Sequence, residues 1–542
     1  MWILIGSGLN KNKQWTVLQH NGPYFPPEYE PHNIPIKINN TVVKLEPLVE
    51  EYATLYAHYL DTTYMENPKF NKNFLKDFRK ELPSEYSNID NIDSFDFSDI
   101  KKFLVDKKEK RLTLTKEEKE KIKEANEKLE KPYKFCIIDG MQQRVGNYKI
   151  EPPGIFLGRG NHPKIGRIKK RINPEDVTIN LSKDANIPKP NIKNTEWGDV
   201  IHNQDVIWLA TWKDNITEKN KYVFLSMEST FKSKSDEEKF NLARRLKKII
   251  NKLRTTYTDE LKSNNLETSQ LATSLYFIDN LALRVGGKKT KEKEKADTVG
   301  VTSLRVEHID LIEPNTIKLD FLGKDSIRYC NKVSVSNEVF ENIKKFTKNK
   351  NKKEQLFDKI SSSTMNNYLN SYMEGLTAKV WRTYNASNLF QKELDKIKPE
   401  KIMTNDENER INILIALFNQ ANSEVAILCN HQKNVGKGYD TQIEKINDMI
   451  KKLKKARDSY KKKGNKKKVI ATIKKIKQYK LKKETKIKMK NVSLGTSKTN
   501  YIDPRIIFSF IKRFNISQEK LFTKVLLDRF KWANDVDENF KF

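Results

Sequence analysis

Cysteine is scarce. Cys136, Cys330 and Cys429 are the only three in 542 residues, far apart and odd in number. That speaks against a disulfide framework or a cysteine-based zinc site and fits reduced thiols in a soluble intracellular protein. The seven histidines are equally scattered, with no His-x-x-x-His pair of the kind that holds a catalytic metal. Long apolar runs are lacking: no stretch is read as approaching the roughly 18–20 residues of a membrane span. The opening MWILIGSGLNKNKQW carries too short an apolar core for a signal peptide. A phosphate loop is missing as well. Gly286-Gly287-Lys288-Lys289-Thr290 lacks the first glycine at the required spacing and the Gly-Lys-Ser/Thr ending. Asp93, Asp96 and Asp99 recur every third position among aromatics and read as an acidic loop or helix start, with a Mg²⁺ site as the alternative.

Positive charge, in contrast, is abundant: 103 Lys+Arg against 71 Asp+Glu leave a formal +32. Net charge speaks about partners rather than fold, and at this value the expected partner is a polyanion. Nucleic acid suits it better than a lipid surface, whose ligands concentrate basic residues on one amphipathic helix or beside an anchor. A composition bias is the competing explanation, since Lys and Asn are both frequent. Hydrophobic residues are sparse at 37%, yet 26 Phe, 20 Tyr and 7 Trp suffice to fill cores. At roughly 100–200 residues per domain the length allows three or four domains.

The charge is uneven. Residues 441–490 hold 20 Lys, one Arg and four acids, a net +17. Ile443, Ile446, Ile450, Leu453 and Tyr460 precede Gly464 at helical steps, and Val469, Ile473 and Ile476 follow it. This pattern predicts two helices folded antiparallel about the glycine, forming a protruding arm. Thr115 and Glu118 form a capping box that opens a mixed-charge, solvated helix. Pro152, Pro153, Gly154, Gly158, Gly160 and Pro163 punctuate a loop region ending in Lys169, Lys170 and Arg171. Residues 199–227 are β-rich, and the pattern turns mainly helical from about 230. One hairpin interrupts it: IKLDFL, a turn at Gly323-Lys324-Asp325, then SIRYC. A last helical unit covers about 505–542, and no internal repeat is present.

Long ordered blocks then accumulate: GPYFPPEYEP (22–31), IEPPGIFLGRGNHPKIG (150–166), LYFIDNLALRVG (275–286), ADTVGVTSLRVEHI (296–309), FLGKDSIRY (321–329), EGLTAKVWRTYNAS (374–387), AILCNHQ (426–432) and SLGTSKTNYIDPR (493–505). Together they resemble the eukaryotic DNA topoisomerase I family, the type IB enzymes, over essentially the whole chain. The resemblance implies an α+β multidomain clamp. A mixed α/β N-terminal DNA-binding cap (1–229, with an insertion at about 28–114) would close on a mainly helical catalytic core (230–435) of tyrosine-recombinase/type IB topoisomerase type. A basic helical-hairpin linker (436–490) and a small helical C-terminal domain (491–542) would follow.

The same resemblance implies a catalytic set: Arg284 in LALRVG, Lys324 in GKD, Arg382 in RTYNAS, His431 in CNHQ and Tyr501 in TNYIDPR. Taken singly, each has an ordinary alternative: a helix-capping arginine, a solvated turn lysine, a satisfied half-buried histidine, a packed tyrosine. The implied reaction is transesterification, in which the Tyr501 oxygen takes the 3′ phosphate and frees a 5′-hydroxyl without ATP, metal or other cofactor. A phenol is only about one part in a thousand ionised at neutral pH, so it must lose its proton during attack. Arginines offer permanently charged donor forks for the non-bridging oxygens, His431 one more donor, and Lys324 a proton for the leaving oxygen. Arg159, His162, Lys164, Lys169, Asp325 and Asn500 are expected to face double-stranded DNA. Arg159, Asp325 and Asn500 also match positions near the pocket of camptothecin-like inhibitors. Leu157 departs from the pattern, standing where a basic residue often precedes GRG. The linker is shorter and more lysine-rich than in animal members, and the family's long charged tail before the core is missing, as in a core fragment or a compact natural form. A monomer in the nucleus, without membrane attachment, is the expected setting. A tyrosine recombinase and a non-catalytic DNA clamp are the alternatives.

Overall fold

The computed structural model describes residues 13–160, 162–287, 297–398, 402, 406–433, 435 and 438–542. The Lys288-Lys289-Thr290 run, Asn161 and most of MWILIGSGLNKNKQW therefore lie outside the described residues. The chain is mixed α/β and divides into two compact units, one running to Lys232 and one from Ser233 onward.

In the first unit, short alternating segments build small sheets. Strand Leu18–His20 pairs antiparallel with Phe135–Ile138, which pairs with Met141–Arg144. Alternation sends Leu18, Cys136 and Ile138 inward and leaves Ile137 exposed, as a two-residue period requires. A four-stranded sheet runs Asp199–Ile201, Val177–Asn180, Ala210–Lys213, Asn220–Val223, its first pair parallel and the others antiparallel. These sheets share one core with Trp15, Phe25 and Trp212. A second core gathers Tyr56, Phe70, Phe74, Phe78 and Phe97, with Tyr56 and Phe74 stacked at 4.1 Å between ring centres. The Thr115–Glu118 capping box forms, and its helix Lys116–Glu130 buries no residue. Asp96 accepts the Ser98 N–H at 2.8 Å, and Asp99 lies in the first turn of helix Ser98–Thr113. Asp93 sits in the turn Ile92–Ser94 and Asp96 in the strand Phe95–Asp96, so the triplet runs from an acidic turn into a helix start, and no group of metal-ligating side chains occurs among the described residues.

The second unit is mainly helical around one core. Its sheet is an antiparallel meander of Ile309–Ile312, Thr316–Leu322 and Arg328–Ser334, the last two forming the expected hairpin. One expectation fails here. Helix Glu407–Leu428 is long and apolar enough by composition to cross a membrane, although no such stretch was read from the sequence. Leu414, Phe418, Ala421 and Val425 of this helix pack into the unit's core.

The basic arm forms as helices Tyr439–Lys462 and Lys466–Lys488, reversed at Gly464, whose φ of +67° suits a residue without a Cβ. Its seam differs from the expected stripe by one position. Ile446 and Ile476 are buried, but Thr472 rather than Ile473 joins them. Steps of three then four from Val469 put position 472 on the partner-facing side, and Thr472 hides its hydroxyl by donating to the Lys468 carbonyl at 2.7 Å. Gln478–Glu409 and Lys488–Glu424 hydrogen bonds tie the arm to helix Glu407–Leu428.

Candidate active site

Tyr501 ends the short helix Leu494–Asn500, and its backbone is held from several directions. The Ser497 carbonyl accepts both the Tyr501 N–H at 2.9 Å and the Ile502 N–H at 3.0 Å. From helix Ala378–Asp395, the buried Ser387 hydroxyl donates to the Tyr501 carbonyl at 3.0 Å and accepts the Asp503 N–H at 2.9 Å. Asp503 caps helix Pro504–Arg513 and pairs with the Arg505 guanidinium at 2.7 Å. Lys239 donates to the Asn500 carbonyl at 3.2 Å. A loop with this many fixed backbone groups holds its tyrosine in one place. Tyr501 as a whole is 7% exposed.

Two expected partners touch it. The Arg382 guanidinium lies 5.1 Å from the Tyr501 ring centre. The His431 ring stacks on it at 5.3 Å and 27°. Arg382 and His431 are themselves buried, at 5% and 6% exposure. Arg382 Nη2 donates to the Cys429 carbonyl, two residues before His431. His431 Nδ1 meets Ser497 Oγ at 2.7 Å. Burial first, then the charges of Arg382 and Arg284, push the imidazole down to about 3, so it is neutral at physiological pH.

Among the described residues, His431 Nε2 and Arg382 Nε are buried side-chain atoms without a hydrogen-bond partner in the protein. An unpaired buried polar group costs about 1–3 kcal/mol, more for a charged one, so native proteins rarely keep one without reason. Here both stand on the two side chains that pack against the phenol ring.

Arg284 follows helix Leu266–Leu281 on an irregular segment that begins with Ala282 in the left-handed region, φ +46°. Its carbonyl accepts the Val301 N–H at 2.9 Å, and that of Val285 the Thr302 N–H at 2.8 Å. The two segments meet where Gly286 faces Gly300. A Cβ on Gly300 would lie 2.5 Å from Gly286 Cα, so neither position has room for a side chain. Arg284 is exposed, and its charge is felt at His431 and Cys429.

Lys324 and Asp325 stand exposed at the hairpin tip, where Asp325 adopts φ +66°. No hydrogen bond or ion pair joins the Lys324 amine to the other four side chains among the described residues. The hairpin is nonetheless tethered beside its tip. The Arg328 carbonyl accepts from the amides of Asn430 and Gln432, each at 3.3 Å, and these residues flank His431. Asn500 bonds the Thr496 carbonyl at 3.2 Å through its amide.

The expected DNA-facing residues of the first unit share one stretch. Arg159 is exposed, and half-buried His162 accepts the Lys164 N–H at 3.1 Å and meets Phe156 edge-on at 4.9 Å. Lys164 donates to the Ile216 carbonyl at 2.7 Å, and Lys169 pairs with Glu151, whose carboxyl it holds below the usual range.

Ser387, Ser497, Lys239 and the Cys429 carbonyl were not singled out from the sequence. The two serines lie inside the matched blocks, but a buried serine leaves no periodic or charge signature that would mark it.

A buried phenol beside a permanent cation and a neutral imidazole, in a strongly basic chain, has the chemistry to act on a phosphate of a polyanion. Comparison with known proteins gives the family. Residues 13–225 match the family model for the eukaryotic DNA topoisomerase I DNA binding fragment, 228–464 that for its catalytic core, and 473–542 the C-terminal topoisomerase domain. The chain is 43% identical to human DNA topoisomerase 1, covering 98% of this chain and 72% of that protein. It is 43% identical to the Caenorhabditis elegans DNA topoisomerase 1, with 98% and 68% covered. Against Arabidopsis thaliana DNA topoisomerase 1 beta it is 42% identical, with 98% and 59% covered. The chain belongs to the eukaryotic DNA topoisomerase I family, enzymes of the type IB, isomerase class.

Proposed function

We propose that Tyr501 cuts one strand of duplex DNA. Its oxygen bonds to a backbone phosphorus, the bond to the 5′ oxygen breaks, and the phenolic proton passes to water or a phosphate oxygen. Arg284, Arg382 and His431 bind the non-bridging oxygens, where charge gathers in the transition state. Preorganised donors of this kind are worth about 2.7–4 kcal/mol each. Lys324 protonates the departing 5′ oxygen, and religation reverses each step. The ester is conserved in the phosphotyrosyl link, so resealing draws on no ATP. The observation that carries this reading is the pair of buried, partnerless nitrogens on His431 and Arg382 beside the Tyr501 ring. Arg382 Nε is a donor that a phosphate oxygen would satisfy, and His431 Nε2 is one when the ring carries its hydrogen there.

Between the two steps the downstream duplex turns and releases supercoils of either sign. The division into cap, core, linker and C-terminal domain, closing as a clamp on DNA, belongs to the same proposal. So do phosphate and cleavage-site contacts from Arg159, His162, Lys164, Lys169, Asp325 and Asn500, and camptothecin-like compounds stacked in the nick. A monomer acting in the nucleus completes it. Phosphate contacts without base reading predict sequence-tolerant binding that falls steeply with salt.

Plasmid relaxation in EDTA without ATP, paired with a nicked suicide duplex, tests the reading. Relaxation and a covalent adduct are expected, and Tyr501→Phe should lose both while keeping duplex affinity. An adduct that survives in Tyr501→Phe, or relaxation that demands Mg²⁺ or ATP, would overturn it. Binding without any adduct would favour a non-catalytic clamp, and strand transfer between duplexes a recombinase.

A further inference from the structure

We propose that Ser497 is a positioning residue for the cleavage reaction, its hydroxyl donating to His431 Nδ1 so that Nε2 carries the hydrogen presented to the scissile phosphate. This rests on the role given to His431 above.

Three observations support it. First, Ser497 is fully buried, and the 2.7 Å contact with His431 Nδ1 is the hydrogen bond its hydroxyl makes. A neutral imidazole carries one N–H, and the partner of one ring nitrogen decides which nitrogen bears it. A donating serine leaves Nδ1 as acceptor and puts the hydrogen on Nε2, the atom with no protein partner. The opposite arrangement would leave Nε2 as a bare lone pair, useless to an anionic oxygen. Second, a doubly protonated ring, which could also donate through Nε2, is opposed by burial and by Arg382 and Arg284 nearby. Third, the ring has little freedom to find another partner. The His431 backbone is fixed on both sides, its N–H donating to the Ala426 carbonyl at 2.8 Å and its carbonyl accepting the Ser493 N–H at 2.8 Å.

Ser497 also holds the nucleophile, because its carbonyl accepts the Tyr501 and Ile502 N–H groups. The side chain and the carbonyl of a single residue thus set the spacing between the imidazole and the phenol. Ser497→Ala keeps the carbonyl and removes only the hydroxyl, which separates the two roles.

A double-mutant cycle tests the inference, using the full chain and single-turnover cleavage of a suicide duplex. Ser497→Ala should slow cleavage about tenfold or more, the lower end of what orienting partners are worth on metal-bound histidines. Against a His431→Ala background the same change should alter the rate by less than about twofold, since coupled residues are non-additive. Equal slowing in both backgrounds would place the effect in the Tyr501 loop or in folding and overturn the inference, as would an unchanged rate in Ser497→Ala alone. If His431→Ala itself cleaves at the native rate, the role of His431 fails instead.

Discussion

Arg382→Lys separates charge from donor geometry at the most enclosed cation of the site. The native guanidinium gives one N–H to the Cys429 carbonyl, leaves Nε without a partner, and sits 5.1 Å from the Tyr501 ring centre. An ammonium keeps the positive charge but not the planar fork, so it cannot hold the carbonyl and a phosphate oxygen in the same geometry. Losing one preorganised donor costs about 2.7–4 kcal/mol, or about 10²–10³ in rate. Duplex affinity, carried mainly by phosphate-tracking charges elsewhere, should change by less than about threefold. If the Cys429 carbonyl is left unpaired, folding stability falls by about 1–3 kcal/mol. Pre-steady-state cleavage at saturating enzyme reads the first quantity, fluorescence anisotropy the second and denaturant unfolding the third. A rate loss under about tenfold, or an affinity loss that matches the rate loss, would refute the assignment of Arg382 to the transition state.

Three further outcomes are expected. Lys324→Ala should slow cleavage of an ordinary duplex by about 10²–10⁴, yet be nearly silent when the 5′ leaving oxygen is replaced by sulfur, a thiolate needing no general acid; equal slowing on both substrates would remove Lys324 from that role. Ser387→Ala should destabilise the protein by about 1–3 kcal/mol, because the buried Tyr501 carbonyl and Asp503 N–H lose their shared partner; it should also slow cleavage more than it weakens binding, as urea unfolding and single-turnover assays would show. Stability should fall as pH drops below the ordinary histidine value of about 6.5. Burial holds His20 down to about 4 and His431 down to about 3. The unfolded chain therefore binds protons that the folded one refuses, and stability is lost progressively between about 6.5 and those values. Calorimetry at pH 7.5 and 5.5 would show a lower Tm at the acid end, less so in His20→Gln, and a flat Tm would contradict the reading.

Much of the local structure was legible because it is written in periodicity and turn chemistry. The Thr115 capping box, the hairpin around Lys324 and the two helices about Gly464 form where those signals lie. The exchange of Ile473 for Thr472 in the arm's seam shows the limit of hydrophobicity alone. Geometry chooses the face, and a threonine whose hydroxyl bonds its own helix behaves as an apolar residue. Helix Glu407–Leu428 shows the same limit from the other side, since it is apolar enough by composition to cross a membrane yet packs Leu414, Phe418, Ala421 and Val425 into a core. The site is a different matter. Arg284, Lys324, Arg382, His431 and Tyr501 span more than two hundred positions, and only their motif blocks single them out. The structure brings the last three into contact and adds Ser387, Ser497 and Lys239, which act through backbone carbonyls or buried hydroxyls. Such contacts arise when segments distant in sequence meet, and no local pattern anticipates them.

Residues 441–490, which span the arm, carry 20 lysines and one arginine against four acids, while among the described residues only Ile446, Thr472 and Ile476 are buried along it. Self-repulsion therefore strains this element, and added electrolyte relieves the strain. Electrolyte also strips the arm from any polyanion it grips. The same ions that knit the arm together would loosen such a grip, so its hold on a polyanion should be strongest where salt is scarce and the polyanion itself serves as the missing counter-charge.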